Sequence, residues 1–457
     1  MKMLNKTIAM LFFLSIGIIY PQELERKNVA VTVYNNNLGV IKDLRSFELK
    51  SGESKISLTD VAKFIDPTSV HIKLSGEVLE QNYQYDLVNL DKILKKYIDK
   101  DIQLISEKGE LIEGMLLSNL GSQIVLRKKE GGLLMIPTIA QYRIGAASLP
   151  EGLITKPTLV WNVNTKKPGK QDVEVTYQTG GMNWHAEYVA LLDKEDKMMD
   201  LNSWVSVDNN SGATYTNAKL KLVAGDVNIV KKGVPKREKS YEGVDYSLID
   251  VQQKPIQERS FFEYHIYDVQ RPTTLAQNET KQISLFEASN IKVNKKYLYT
   301  AGQYYGDQTK KVDVIVDFEN KEQNNLGMPM PKGKVRLYKS DGESVEFIGE
   351  DMIDHTPKNE KVKLKIGEAF DVVAEEAQTD NKQITKKIHE ESYKITIKNR
   401  KEENIVVDVE RNLGLYWEIV NTSIDYEKKN SQTILYKLPV KKDSEAVITF
   451  TVRYTYK

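Results

Sequence analysis

At the C-terminal end of the chain, Ile448, Phe450, Val452, Tyr454 and Tyr456 alternate with Thr449, Thr451, Arg453, Thr455 and Lys457. A period of two over that many positions puts every apolar side chain on one face, which is the mark of a half-buried strand. The pattern recurs. Val362, Leu364 and Ile366 alternate with Lys361, Lys363 and Lys365, and Tyr393, Ile395 and Ile397 alternate with Lys394, Thr396 and Lys398. Ser340-Asp341-Gly342-Glu343 supplies the positive φ a tight hairpin needs between Val335–Tyr338 and Val345–Ile348. Many such strands at short spacing predict a mostly β chain of antiparallel β-sandwich domains. No period of 20 to 50 residues appears, so the sequence does not support a solenoid or propeller.

Six segments follow along the chain. Residues 1–22 read as a signal peptide: Lys2 and Lys6 flank the apolar run Thr7–Ile19, which is shorter than the ~20 residues of a bilayer span. Residues 23–86 form an N-terminal β module. Residues 87–147 open with Leu87, Leu90, Leu94 and Tyr97 at helical spacing, and five short strands follow. That order predicts a small SH3/Sm-like barrel, with Glu113-Gly114 at its sharp bend. Residues 158–230 are a central antiparallel region, in which Val173–Tyr177 and Trp184–Leu192 read as a hairpin about Thr179-Gly180-Gly181. Residues 231–260 lose periodicity and read as an exposed loop. Residues 261–457 complete a C-terminal β-sandwich region.

The charge count, 65 basic against 64 acidic, leaves +1 and gives no overall field that would favour nucleic acid. Cysteine is absent. Disulfides, thiolate metal sites, a thiol nucleophile and the acylated residue of a lipoprotein are thereby excluded.

Chemistry has few footholds. The five histidines, 71, 185, 265, 355 and 389, lack zinc-protease spacing. His185 and Glu187 share a strand face, as acid–base partners or as a solvent-facing pair. Asp208, Asn210 and Gly212 alternate like a calcium loop, but Lys219 stands where a bidentate Glu belongs, so the stretch reads as a turn. Asp351, Asp354 and His355 read as an acidic turn more readily than as a metal site. No nucleophile elbow or phosphate loop occurs, no cofactor is implied, and a pair of glycosidase carboxylates is not visible from spacing. Tyr304 and Tyr305 remain as candidate ligand-facing residues, a ring pair near a turn where sugar could stack, against ordinary cross-strand packing.

The aromatic hairpin Tyr177, Trp184 and Tyr188, the Asn209–Gly212 turn and the strand Asn217–Leu222 resemble the bacterial family called domain of unknown function 4139. So do Leu326–Tyr338, Gly349-Glu350 and Gly367–Val372. The resemblance covers about residues 158–457. It departs from the family after Gly212, where Ala213-Thr214-Tyr215 replaces Glu-Asp-Trp. Some relatives carry the label mucoidy inhibitor, which implies an envelope polysaccharide context. The expectation is an exported, periplasmic or envelope-associated protein that is not a lipoprotein, with no membrane span after signal cleavage. Its role is expected to be a non-catalytic scaffold for an envelope protein, with a carbohydrate-binding module or a polysaccharide hydrolase as alternatives.

Overall fold

A computed structural model describes residues 26–150, 153–225, 256–302 and 308–455, with backbone alone at 308–309. Its contacts divide into two units: one comprises residues up to Ala30 and Ile41–Gln178, the other Val31–Val40 and Thr179–Lys457. Strands dominate both, and no helix among the described residues is long and apolar enough to cross a membrane.

In the first unit, Thr158–Thr165 is the middle strand of a three-stranded antiparallel sheet, flanked by Gly52–Thr59 and Glu77–Gln84. Trp161 is fully buried there, and its indole Nε1 donates to Gln81 Oε1 at 2.8 Å. Thr158–Thr165, expected to open the central antiparallel region, pairs instead with two strands of the preceding N-terminal module. A strand's partner is chosen by its buried face and not by proximity along the chain.

The helix expected after residue 87 is Leu90–Lys96, capped by Asn89, whose Oδ1 accepts from Lys92 N. Leu94 and Tyr97 pack on Ile102, Leu104, Leu116 and Leu126. All five following strands form, in the order Tyr142–Gly145, Asp101–Ser106, Leu111–Leu120, Gln123–Lys128 and Leu133–Ile136. The two outer strands are not paired with each other, so the sheet stays open where a closed barrel was expected. Gly114 does lie at a close approach, because a Cβ there would stand 2.6 Å from Arg127 O.

Gly169–Thr179 and Met182–Leu192 are both strands, yet they enter different sheets and make no hairpin. Gly181, at φ +77°, turns the chain out of one sheet instead of back along it. Met182–Leu192 pairs antiparallel with Met198–Asn209 along its whole length, and in parallel with Gly333–Ser340. These strands begin a thirteen-stranded sheet. The excursion read as a loop to residue 260 ends sooner, because Ile256–Phe261 pairs with Tyr264–Val269.

Two packed cores of the second unit share strands. The first gathers Tyr188, Leu192, Leu201, Val335 and Leu337, and the second gathers Ile397, Val407, Tyr436, Ile448 and Phe450. Three strands pass through both. Glu279–Ala301 gives Ile291 to the first and Tyr297 and Tyr299 to the second. Gln308–Glu319 gives Phe318 and Val312, and Lys361–Thr385 gives Leu364 and Val372. The 340–343 hairpin and the final strand, Ser444–Thr455 with Ile448, Phe450 and Val452 buried, form as their sequences predict.

Candidate interaction surface

Val345–Ile353 is the terminal strand of the thirteen-stranded sheet. Leu337 pairs with Gly349 while Tyr338 pairs with Phe347, so Ile348 is an extra residue, a bulge. Ile348 turns inward and packs on the first core. The insertion resets the alternation, and Val345, Phe347, Glu350 and Met352 share the outer face. Gly349 permits this arrangement, since a Cβ there would lie 2.1 Å from Ile366 O. Val345, Phe347 and Met352 are 54%, 55% and 56% exposed. The Phe347 ring meets Tyr338 edge-on at 5.6 Å.

The same face continues into charge. Lys334 Nζ lies 2.9 Å from Glu350 Oε1, and Arg336 stands 3.8 Å from both Glu350 and Glu187. His185 Nε2 is 3.6 Å from Glu187 Oε1, and Gln282 Nε2 donates to Glu187 Oε2 at 3.0 Å. The hydrogen bond to His185 and the charge of Arg336 hold the Glu187 carboxyl below its ordinary range, against the opposing pull of burial. A carboxylate so held is a fixed anion in a surface network and a poor proton acceptor near neutrality.

A separate cleft of about 260 Å³ opens where the strands cross from one core to the other. Gly367–Asp371 lines it, with Leu192, Val316 and Ile366 as apolar floor and Lys295, Lys339 and Lys401 at the rim. Asp196 Oδ2 accepts from Lys295 Nζ at 2.7 Å, and Oδ1 pairs with Lys339. Burial raises the Asp196 pKa, but the two lysines outweigh it and the net shift is downward. Lys295 and Lys401 stand 5.7 and 5.6 Å from the Tyr297 ring centre. The ammonium groups are already partnered, by Asp196 and Glu403.

Several sequence candidates do not converge. Tyr304 and Tyr305 lie outside the described residues. Asp351 binds the backbone N of Lys365, Asp354 binds the N of His355, and His355 Nδ1 accepts from Lys332 N. Among the described residues no three His, Asp or Glu side chains are grouped to hold a metal. The outer row at 345, 347 and 352 escaped the sequence reading because Ile348 breaks the parity. Gly349 after Ile348 is the one sequence signal of that break.

Together the sheets define a mostly β, sandwich-like protein whose strands pair largely antiparallel, with a small open-sheet module carried in its first unit. The family described as Domain of unknown function (DUF4139) matches residues 173–457, and the chain belongs to that family. Comparison with curated proteins gave no match.

Proposed function

We propose that this is an exported protein of the bacterial cell envelope, periplasmic or envelope-associated, and that it serves as a non-catalytic scaffold for another envelope protein. The observation that carries the reading is the outer face of the terminal strand, where Val345 and Phe347 stand exposed beside Tyr338, and Met352 follows beyond the Lys334–Glu350 pair. Exposed apolar side chains interleaved with a charged pair are the chemistry of a protein contact. The basic, apolar N-terminal stretch at residues 1–22 supports export.

A photo-crosslinking side chain at position 345, in the native envelope, tests the contact, with Phe347→Glu introduced into the same chain as the control. A discrete crosslinked protein that disappears in Phe347→Glu is the expected result. An identical product in Phe347→Glu would sink the scaffold reading, and retention of glycan without protein would replace it with a carbohydrate-binding role. Export is checked by fractionation and by N-terminal sequencing of the mature chain, where a sequence starting at Met1 would overturn signal cleavage.

A further inference from the structure

The hairpin of Ile256–Phe261 and Tyr264–Val269 turns through Phe262 and Glu263. Phe262 holds φ at +55°. Left-handed backbone suits glycine, because a Cβ there crowds the neighbouring carbonyl, and a bulky ring in that region is strained. Phe262 is nevertheless 83% exposed, and Phe261 beside it is exposed as well. The Phe262 ring lies 6.3 Å from that of Tyr264, and the Arg259 guanidinium stands 5.6 Å from the Phe261 ring centre. Strain held at an aromatic side chain that packs on no core points to a role in contact.

The cleft at Gly367–Asp371 has room for such a ring. Its volume, about 260 Å³, exceeds the ~150 Å³ of an apolar cavity that takes up benzene. Leu192, Val316 and Ile366 give it an apolar floor, and the exposed Phe370 extends its lip. Lys295, Lys339 and Lys401 are partly exposed at the rim, within reach of an incoming carboxylate. Glu263, exposed and next to the ring in sequence, supplies one. The lining also holds Glu368 and Asp371, for which the hairpin has the exposed guanidinium of Arg259.

Tip and cleft stand at opposite ends of Met182–Leu192. Leu192 lines the cleft, while Trp184, roughly 26 Å back along the strand, meets Tyr267 of the hairpin edge-on at 5.8 Å. Tyr264, at the foot of the tip, lies close to Tyr34, whose pKa is raised by burial and then by this neighbour. Asn35, next along the chain, donates through Nδ2 to Trp184 O at 2.9 Å. The ring therefore does not reach the cleft of its own copy. We propose that the Phe262 tip of one copy seats in this cleft of a second copy, with Glu263 facing the rim lysines. A contact between two different patches does not close on itself, so copies join head to tail into open chains. Neither Val345 nor Phe347 takes part, which leaves the outer face of the terminal strand free.

Sedimentation equilibrium of the full chain over a range of concentrations tests the contact. The expected result is a mass that climbs through successive multiples of the chain mass. Phe262→Gly, which suits the positive φ and keeps the turn, is expected to stay monomeric. So is Gly367→Phe, placed where an added Cβ meets nothing within 4 Å. Mixed in equal amounts, the two variants are expected to form a pair and nothing larger, because one keeps the cleft and the other keeps the tip. A wild-type chain that stays monomeric up to about 1 mM would overturn the proposal, as would a dimer that grows no further or a mixture without pairs. Should Gly367→Phe not fold, Phe262→Gly added to wild type decides, since it is expected to cap and shorten the chains, and unchanged chain length overturns the contact.

Discussion

Asp196 joins strands distant in sequence, since its two oxygens bind Lys295 of Glu279–Ala301 and Lys339 of Gly333–Ser340. The lysines hold its pKa below the ordinary 3.8 despite burial. A carboxyl with a lowered pKa in the fold adds stability that is fully present above its unfolded pKa and is lost as pH falls through the folded value. Asp196→Asn, which keeps the shape and the tolerance of φ +57°, is expected to cost about 1–2 kcal/mol at pH 7 in urea unfolding. The gap from wild type should close below pH 3.8. A gap that persists undiminished in acid would show that the charge is not its cause. Glycine makes a second residue-scale test. An added Cβ at Gly333 would lie 2.0 Å from Ala186 O, whereas Gly342, at φ +99°, has nothing within 4 Å. Gly333→Ala is expected to cost about 3 kcal/mol or more through collision of backbones. Gly342→Ala meets only the strain of its φ, about 1–2 kcal/mol. Equal losses in the two variants would refute this separation of clash from strain.

Among the elements, the terminal strand Val345–Ile353 separates packing from presentation. Ile348 faces the core and Phe347 faces outward, although they are neighbours in sequence. Phe347→Glu should leave unfolding within about 0.5 kcal/mol of wild type, while Ile348→Ala should cost about 1–2 kcal/mol because its site is only partly buried. Near-equal costs would place both side chains on one side of the sheet. This strand also marks how far the sequence could be read. The 340–343 hairpin was legible, since Asp341-Gly342 is local chemistry that fixes its own turn. The final strand was legible because its alternation is unbroken. The outer row was not, because a one-residue insertion reverses parity without altering composition. The joint at Gly180-Gly181 misled for a related reason. Two glycines permit a reversal of direction, but the flanking strands' buried faces decided that Gly169–Thr179 and Met182–Leu192 would pair elsewhere. The five strands after the helix were read correctly one by one, while closure depends on contacts between the first and last that no local signal encodes.

For the whole molecule, the second unit includes Val31–Val40, which lies more than a hundred residues before the family match begins at 173. The cleft where Asn35–Asn37 meets Asn183 and Asp208 was illegible for that reason, since Asn35–Asn37 reads only as a turn until the chain folds. A fragment of residues 173–457 lacks that turn and is expected to unfold at lower denaturant than the same unit in the full chain. Equal midpoints would show that Val31–Val40 adds nothing to the unit's stability. The strands shared by both cores carry another consequence. Glu279–Ala301 and Lys361–Thr385 are single ribbons that send side chains into two different packed interiors. Tension along such a ribbon loads the hydrogen bonds on both sides in shear, so that each interior braces the other. Stretched between its termini by an atomic-force tip, the second unit should rupture once, and two separated ruptures would show the interiors yielding independently. In mechanical terms the shared strands are tie rods: they make one stiff strut of a segment that holds two cores.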